Sequence, residues 1–305
     1  MHSTSSCDIS ENTPVKTALI VEGGGMRGVF SAGVLDAFLD KRHRNFDAYY
    51  GVSAGALNLL SFINAQRGRN LDIYTGACLD PKFISIKRHL KGGNLFDLDW
   101  FFDRIGRLYL DQGKFLQSLK GKSFTIVTTC SNTGYPVYHR IDEHSDLDQL
   151  FEMLKASSAL PMIYRQPIDI DGRQLVDGTM ADPLPIMKAV EDGHQHIVLI
   201  RTRESNYRKT PSSANRLMAW QFRKQPELAQ LIREQYRIYN DSLDQIEQLK
   251  QQGIRITEIA PQSKLACTRS TRNRTRLVSD YHRGYSEGYA LLNQAHINSV
   301  VDINE

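Results

Sequence analysis

The chain reads as an α/β protein: a mainly parallel central sheet with helices on both faces. Three observations lead there. Short runs rich in apolar and β-branched residues, TALIVE at 17–22, FTIVTT at 124–129 and HIVLIRT at 196–202, have the length and character of strands buried on both faces. Other stretches place apolar residues at helical spacing, as Val29, Ala32, Leu35 and Leu39 do. Strand-like and helical segments also take turns along most of the chain, the order that produces parallel crossovers. Composition agrees. The 305 residues are 41% hydrophobic and 24% charged with 21 Gly and 10 Pro, which excludes collagen, coiled coil and wholesale disorder.

Residues 1–16 are polar, rich in Ser and Thr, and predict a flexible arm. They lack the apolar core of a secretory signal, and no apolar run is long enough to span a bilayer. Four scattered cysteines (Cys7, Cys78, Cys130, Cys267) include no CxxC, so neither a zinc site nor a disulfide framework is expected. The expectation is a reduced, cytoplasmic protein. After the strand at 17–22 come a glycine loop and a helix through 29–42. A second strand covers 46–51, followed by an apolar helix ending at Gly68. Residues 70–122 are less regular, with one helix near 98–110. Strands are then expected at 124–129 and 135–141, and a helix over 146–157 has an acidic first turn that suits its dipole. Runs at 168–170 and 174–176 flank Asp171-Gly172, a hairpin signal. Pro183-Leu184-Pro185 opens a helix that stops at Gly193. A strand at 196–202, a long helical stretch over 213–252 broken at Pro226, a strand at 254–259 and a helix at 277–298 complete the chain. The polar, basic connection near 203–213 divides it into an α/β unit, 17–203, and a mostly helical C-terminal region, 204–305.

Three glycine-marked sites carry chemistry. Gly23-Gly24-Gly25-Met26-Arg27-Gly28 joins a strand to a helix and satisfies GxGxxG through Gly23, Gly25 and Gly28. Asp47, about twenty residues on, could serve as a ribose-binding acid, so a dinucleotide-binding oxidoreductase is one reading. The same loop offers backbone N–H groups at a helix N-terminus to any anion, a developing oxyanion included. Gly51-Val52-Ser53-Ala54-Gly55 is GxSxG between strand and helix, the context in which that pattern presents a nucleophilic serine. The bland reading of Ser53 is an N-cap. Asp177-Gly178-Thr179 stands at another strand end, whereas Asp171-Gly172 marks a hairpin and Asp192-Gly193 a helix stop. A plain turn accounts for Asp177 as well as catalysis does when it is taken alone.

Together, these motifs resemble the patatin-like phospholipase family, its bacterial members above all. The glycine loop, GxSxG about thirty residues later, the small-residue segment Ala156-Ser157-Ser158-Ala159-Leu160-Pro161 and the downstream Asp-Gly pair keep that family's order over roughly 18–190. The resemblance implies a patatin-like three-layer fold with a helical C-terminal extension. It makes Ser53 the nucleophile, Asp177 its partner in a dyad without histidine, and Gly23, Gly24, Gly25, Arg27 and Gly28 the oxyanion-hole loop. Gly51 and Gly55 flank the nucleophile, and Gly178 and Thr179 complete the aspartate motif. Thr179 replaces a more frequent Gly or Ala, at a position not expected to do chemistry. No metal or other cofactor is implied.

A Ser–acid–His triad would need a histidine after Asp177, and His194, His196, His282 and His296 are the candidates. None sits in a loop with an active-site character. The net charge of +4 is concentrated in 201–224 and 264–283, the first of which carries Leu217, Trp220 and Phe222 among its basic residues. Both runs suit peripheral docking on an anionic lipid surface near Ser53, or a solvated basic face. The expected partner is a phospholipid or other lipid ester, with no nucleic acid. A non-catalytic lipid-binding module is the remaining alternative, and oligomeric state is not encoded in any recognisable way.

Overall fold

The computed structural model describes residues 15–106, 110–161 and 163–301, with side chains as far as residue 294. The arm expected at 1–16 lies almost wholly outside them. In chain order the elements are β1 (Thr17–Val21), α1 (Gly28–Asp40), β2 (Ala48–Val52), α2 (Ala54–Ile63), α3 (Arg69–Thr75), α4 (Ile86–Leu90), α5 (Leu98–Phe101), α6 (Gln112–Ser118), β3 (Ser123–Cys130), β4 (Pro136–Ile141), α7 (Leu147–Ser158), β5 (Ile168–Ile170), β6 (Arg173–Asp177), α8 (Ile186–Glu191), β7 (His196–Ile200), α9 (Ser213–Gln221), α10 (Pro226–Gln251), β8 (Arg255–Ile259) and α11 (Arg274–Val301).

All eight strands join one sheet, in the order β5-β6-β3-β2-β1-β7-β8, with β4 paired to β3. The five strands β3-β2-β1-β7-β8 are parallel, and β4, β5 and β6 add antiparallel pairings. Because side chains alternate along a strand, each central strand feeds two cores. Leu19, Val21, Tyr49 and Ile200 pack into the larger one, with residues of α1, α2, α7 and α11. Ala18, Ile20, Tyr50 and Leu199 face the other, covered by α8 and α10. This is the three-layer architecture that near-continuous apolar strands require.

One pairing positions the site. Along β3, β2 occupies one edge as far as Val52, opposite Val127, while β4 holds the other edge. Beyond Val127 the edge vacated by β2 is taken by β6, antiparallel, with Asp177 opposite Thr128. The two strands therefore approach each other head-on along one edge of β3. The last residue of β6 arrives where the residue after β2 departs.

Several boundaries differ from the sequence expectation. Helix α2 ends at Ile63, not near Gly68; the chain reverses through Ala65 at φ 53, and Gly68, at φ 80, is the N-cap of α3. The helix near 98–110 starts after Asp97, whose side chain caps the Trp100 N–H, but widens after Phe101 into a π-turn over Phe102–Gly106. Asp146 caps α7 through the N–H groups of Asp148 and Gln149, in keeping with its acidic start. The C-terminal region contributes β8 to the sheet edge beside β7 and lays α11 against α1. Among the described residues no helix is long and apolar enough to cross a membrane. Cys78, Cys130 and Cys267 are buried free thiols.

Candidate active site

Ser53 occupies the turn between β2 and α2 at φ 54 and ψ −128, a region an L-residue enters at a cost of about 1–3 kcal/mol. The surroundings hold it there. Its N–H donates to Ser157 Oγ at 2.9 Å, and that hydroxyl donates in turn to the Val127 carbonyl at 2.6 Å. Gly51 and Gly55 let the turn close: a Cβ on Gly55 would collide with the Val21 and Glu22 carbonyls, and Gly51 lies against Ala56. The helix that follows points its N-terminal dipole at the serine.

Asp177, the last residue of β6, is 3% exposed. Its N–H donates to the Ala159 carbonyl at 3.1 Å, so the small-residue segment positions both key residues, Ser53 through Ser157 and Asp177 through Ala159. The Thr179 N–H and hydroxyl each donate to Asp177 Oδ1 at 2.8 Å. The third position of the Asp-Gly-Thr motif thus touches the carboxylate. Gly178 fits closely against the Val127 carbonyl. Burial raises the Asp177 pKa above the ordinary carboxylate range, although the Thr179 donors, the Ser53 hydroxyl beside it and the positive charge of Arg269 partly offset this.

The glycine loop faces this pair. Gly23 packs against the Val52 carbonyl and Ser53 Cβ. Gly25 has φ +57 and lies so close to the Arg269 carbonyl that a side chain there would strike it, and the same carbonyl accepts from the Met26 N–H at 3.0 Å. Arg27 N–H bonds the Gly24 carbonyl at 3.3 Å, and Gly28 N–H returns to Gly25 and Met26, so these two donors are used inside the loop. The N–H groups of Gly24 and Gly25 have no acceptor among the described residues. Thr202 braces the loop from behind, its hydroxyl on the Gly23 carbonyl at 3.0 Å.

Ser53, Asp177 and the glycine loop line one cavity. Apolar side chains such as Leu57, Leu60, Phe83, Phe96, Phe101 and Ile163 form much of its wall. Arg27, Arg203, Lys209 and Arg269 line it as well. The last three were not singled out as site residues by sequence, because nothing in a basic run marks which members turn inward. The two runs do not face outward as units. Arg201 is fully buried in an ion pair with Glu258 at 3.0 Å, and Arg208 pairs with Asp244 at 2.6 Å. Among the described residues no three His, Cys, Asp or Glu side chains converge as a metal site would require.

The dinucleotide reading of GxGxxG is not favoured. A ribose-binding acid belongs at the C-terminal end of the second strand. Asp47 instead precedes β2 at the opposite end of the sheet, where its carboxylate accepts from Thr17 N–H at 2.7 Å. Among the described residues no histidine lines the cavity. His194 and His196 sit where β7 begins, beside Ala189 and opposite Thr17, and His282 lies next to Tyr281 on α11. The side chain of His296 is outside the described residues.

A family model described as patatin-like phospholipase matches residues 19–190, and one for a domain of unknown function, DUF6363, matches 225–296. YjjU, an uncharacterised protein of Escherichia coli strain K12, is 35% identical over 258 residues, which cover 83% of this chain and 70% of YjjU. Among solved structures, the crystal structure of VipD from Legionella pneumophila aligns at 14% identity with a TM-score of 0.46, covering 92% of this chain and 67% of that one.

Proposed function

Because the chain belongs to the patatin-like phospholipase family, we propose that it is a serine lipid acyl hydrolase that works through a Ser53–Asp177 dyad and an acyl-enzyme. The observation that carries this reading is the convergence in one cavity of a strained Ser53, a buried Asp177 and two unbonded glycine N–H groups. Ser53 Oγ attacks the carbonyl carbon of a lipid ester while its proton passes to the Asp177 carboxylate. The tetrahedral oxyanion accepts hydrogen bonds from the N–H groups of Gly24 and Gly25; one such donor is worth about 3–4 kcal/mol in a serine hydrolase. Collapse expels the alcohol, which takes the proton from Asp177. Water then repeats the sequence on the acyl-enzyme and releases the fatty acid.

An aspartate of ordinary pKa is a poor base at neutral pH, so its burial supports the role by raising its affinity for a proton. The apolar wall suits an acyl chain. Helix α9 adds a way to reach lipid. Leu217 and Trp220 are 67% and 62% exposed beside Arg216, Arg223 and Lys224, a combination fit for peripheral contact with an anionic membrane.

The test is labelling with a fluorophosphonate, which traps an activated serine. Wild type labels, Ser53→Ala does not, and hydrolysis of a short-chain phospholipid falls by at least about 10³-fold in the variant. Wild-type protein that neither labels nor hydrolyses would sink the reading.

A further inference from the structure

Four cations border the same cavity as Ser53 without a carboxylate at contact distance among the described residues: Arg27, Arg203, Lys209 and Arg269. Their sequence neighbours Arg201 and Arg208 are, by contrast, paired. Arg27 is more than nine-tenths buried, and its Nε has no hydrogen-bond partner. A buried guanidinium N–H left unbonded is costly unless something fills the site. Lys209 Nζ donates one hydrogen bond, to Gln235 Oε1 at 2.6 Å, which leaves two further donors. Arg203 stacks its guanidinium over Tyr207 at 4.4 Å, keeping the edge of its fork available.

The nearby negative groups do not balance these charges. Glu22 Oε2 accepts from the N–H and hydroxyl of Thr202, and Asp177 Oδ1 from those of Thr179. Burial and mutual repulsion leave a mark. Lys209 is pushed down to about 7, by burial first and then by Arg269, Arg203 and Arg27. Arg27 is lowered to about 10, by burial and then by Arg203 and Arg269. A bound anion would relieve both. Arg69 also borders the cavity but donates to Ser61 Oγ at 2.8 Å, so it is outside this group.

We infer that Arg27, Arg203, Lys209 and Arg269 form a subsite for a dianionic phosphate, and that the lipid ester this protein takes carries a terminal phosphomonoester as its polar end. Once a bound anion restores the Lys209 ammonium, four cations facing two engaged carboxylates leave an excess of two positive charges, which matches a phosphate dianion. A zwitterionic head group would bring its ammonium into that excess of positive charge. The apolar wall of the cavity accounts for the other end of such a molecule. As a statement about substrate, this rests on the hydrolase reading above; as a statement about binding, it does not.

The experiment therefore measures binding without turnover. Full-length Ser53→Ala is titrated calorimetrically with dihexanoyl phosphatidate, with dihexanoyl phosphatidylcholine and with inorganic phosphate, the lipids held below their micellar concentrations. Phosphatidate should bind about tenfold or more tighter than either of the others. Adding Arg203→Met and Lys209→Met to the same protein should erase the difference between the two lipids. Equal affinity for the two lipids, or inorganic phosphate binding as tightly as phosphatidate, would overturn the inference. This comparison is made on the Ser53→Ala protein itself and does not depend on the added substitutions folding. Fluorophosphonate labelling of wild type answers the catalytic reading separately.

Discussion

At the scale of single residues, the proposed dyad depends on how Asp177 is solvated. Burial raises its pKa, and the two Thr179 hydrogen bonds to Oδ1 lower it again. As a base, the carboxylate must be ionised, so kcat/KM should fall as pH drops through its raised pKa. The acid limb should lie above the ordinary aspartate range. In Thr179→Val the hydroxyl donor is lost while the N–H donor remains. The ionised form loses support, so the limb should move to higher pH, and pH–rate profiles of the two proteins would show it. A limb that stays in place would mean that the threonine does not act on the base. Ser53 was legible in the sequence because flanking glycines between strand and helix are a local signal. Asp177 was separable from two other Asp-Gly pairs by its position at a strand end. The roles of Ser157 and Thr179 were not legible: a hydroxyl takes its partner from the fold, and Ser157 finds Ser53 across 104 residues.

At the scale of elements, two helices support distinct predictions. Where α11 crosses α1, a Cβ on Gly284 would fall on the Phe30 carbonyl, and one on Gly33 on the Tyr281 carbonyl. Alanine is favoured over glycine in a helix by about 1 kcal/mol. Overpacking against backbone costs about 1–3 kcal/mol and should win, so Gly284→Ala should lower the melting temperature. A higher one would show that the helices do not touch there. For α9, Leu217→Ser/Trp220→Ser should weaken sedimentation with anionic vesicles by roughly tenfold, and added salt should weaken binding of the wild type. Indifference to both would remove α9 from the docking surface. Sequence periodicity found the long elements, yet it misplaced the end of α2. Gly68, a normal helix stop, here supplies the left-handed residue that starts α3.

At the scale of the whole molecule, the C-terminal region holds the site together. Asp280 is fully buried on α11 and accepts from the N–H groups of Ala266 and Cys267, at 3.2 and 2.8 Å. That fixes the segment whose Arg269 carbonyl holds the Met26 N–H. Asp280→Ala leaves two donors unpaired, at about 1–3 kcal/mol each. It should lower thermal stability and also slow fluorophosphonate labelling, since the glycine loop loses its brace; unchanged labelling would show that the loop stands alone. The parallel sheet and its layers could be foreseen from apolar runs, which depend on composition over several residues. The tie between residues 26 and 269 could not, because it joins two backbone groups and no side-chain pattern records it. The head-on meeting of β2 and β6 bears on how the gene can change length. Ser53 and Asp177 are separated by most of a domain in sequence, but the gap between them is measured out on one strand, β3. Extra residues in the hairpin at Asp171-Gly172 would leave that gap untouched. A single residue inserted between Val127 and Thr128 would open it by about 3.4 Å and reverse the facing of everything beyond. Tolerance to insertions should therefore drop abruptly at the middle of β3, in a strand that contains neither member of the pair.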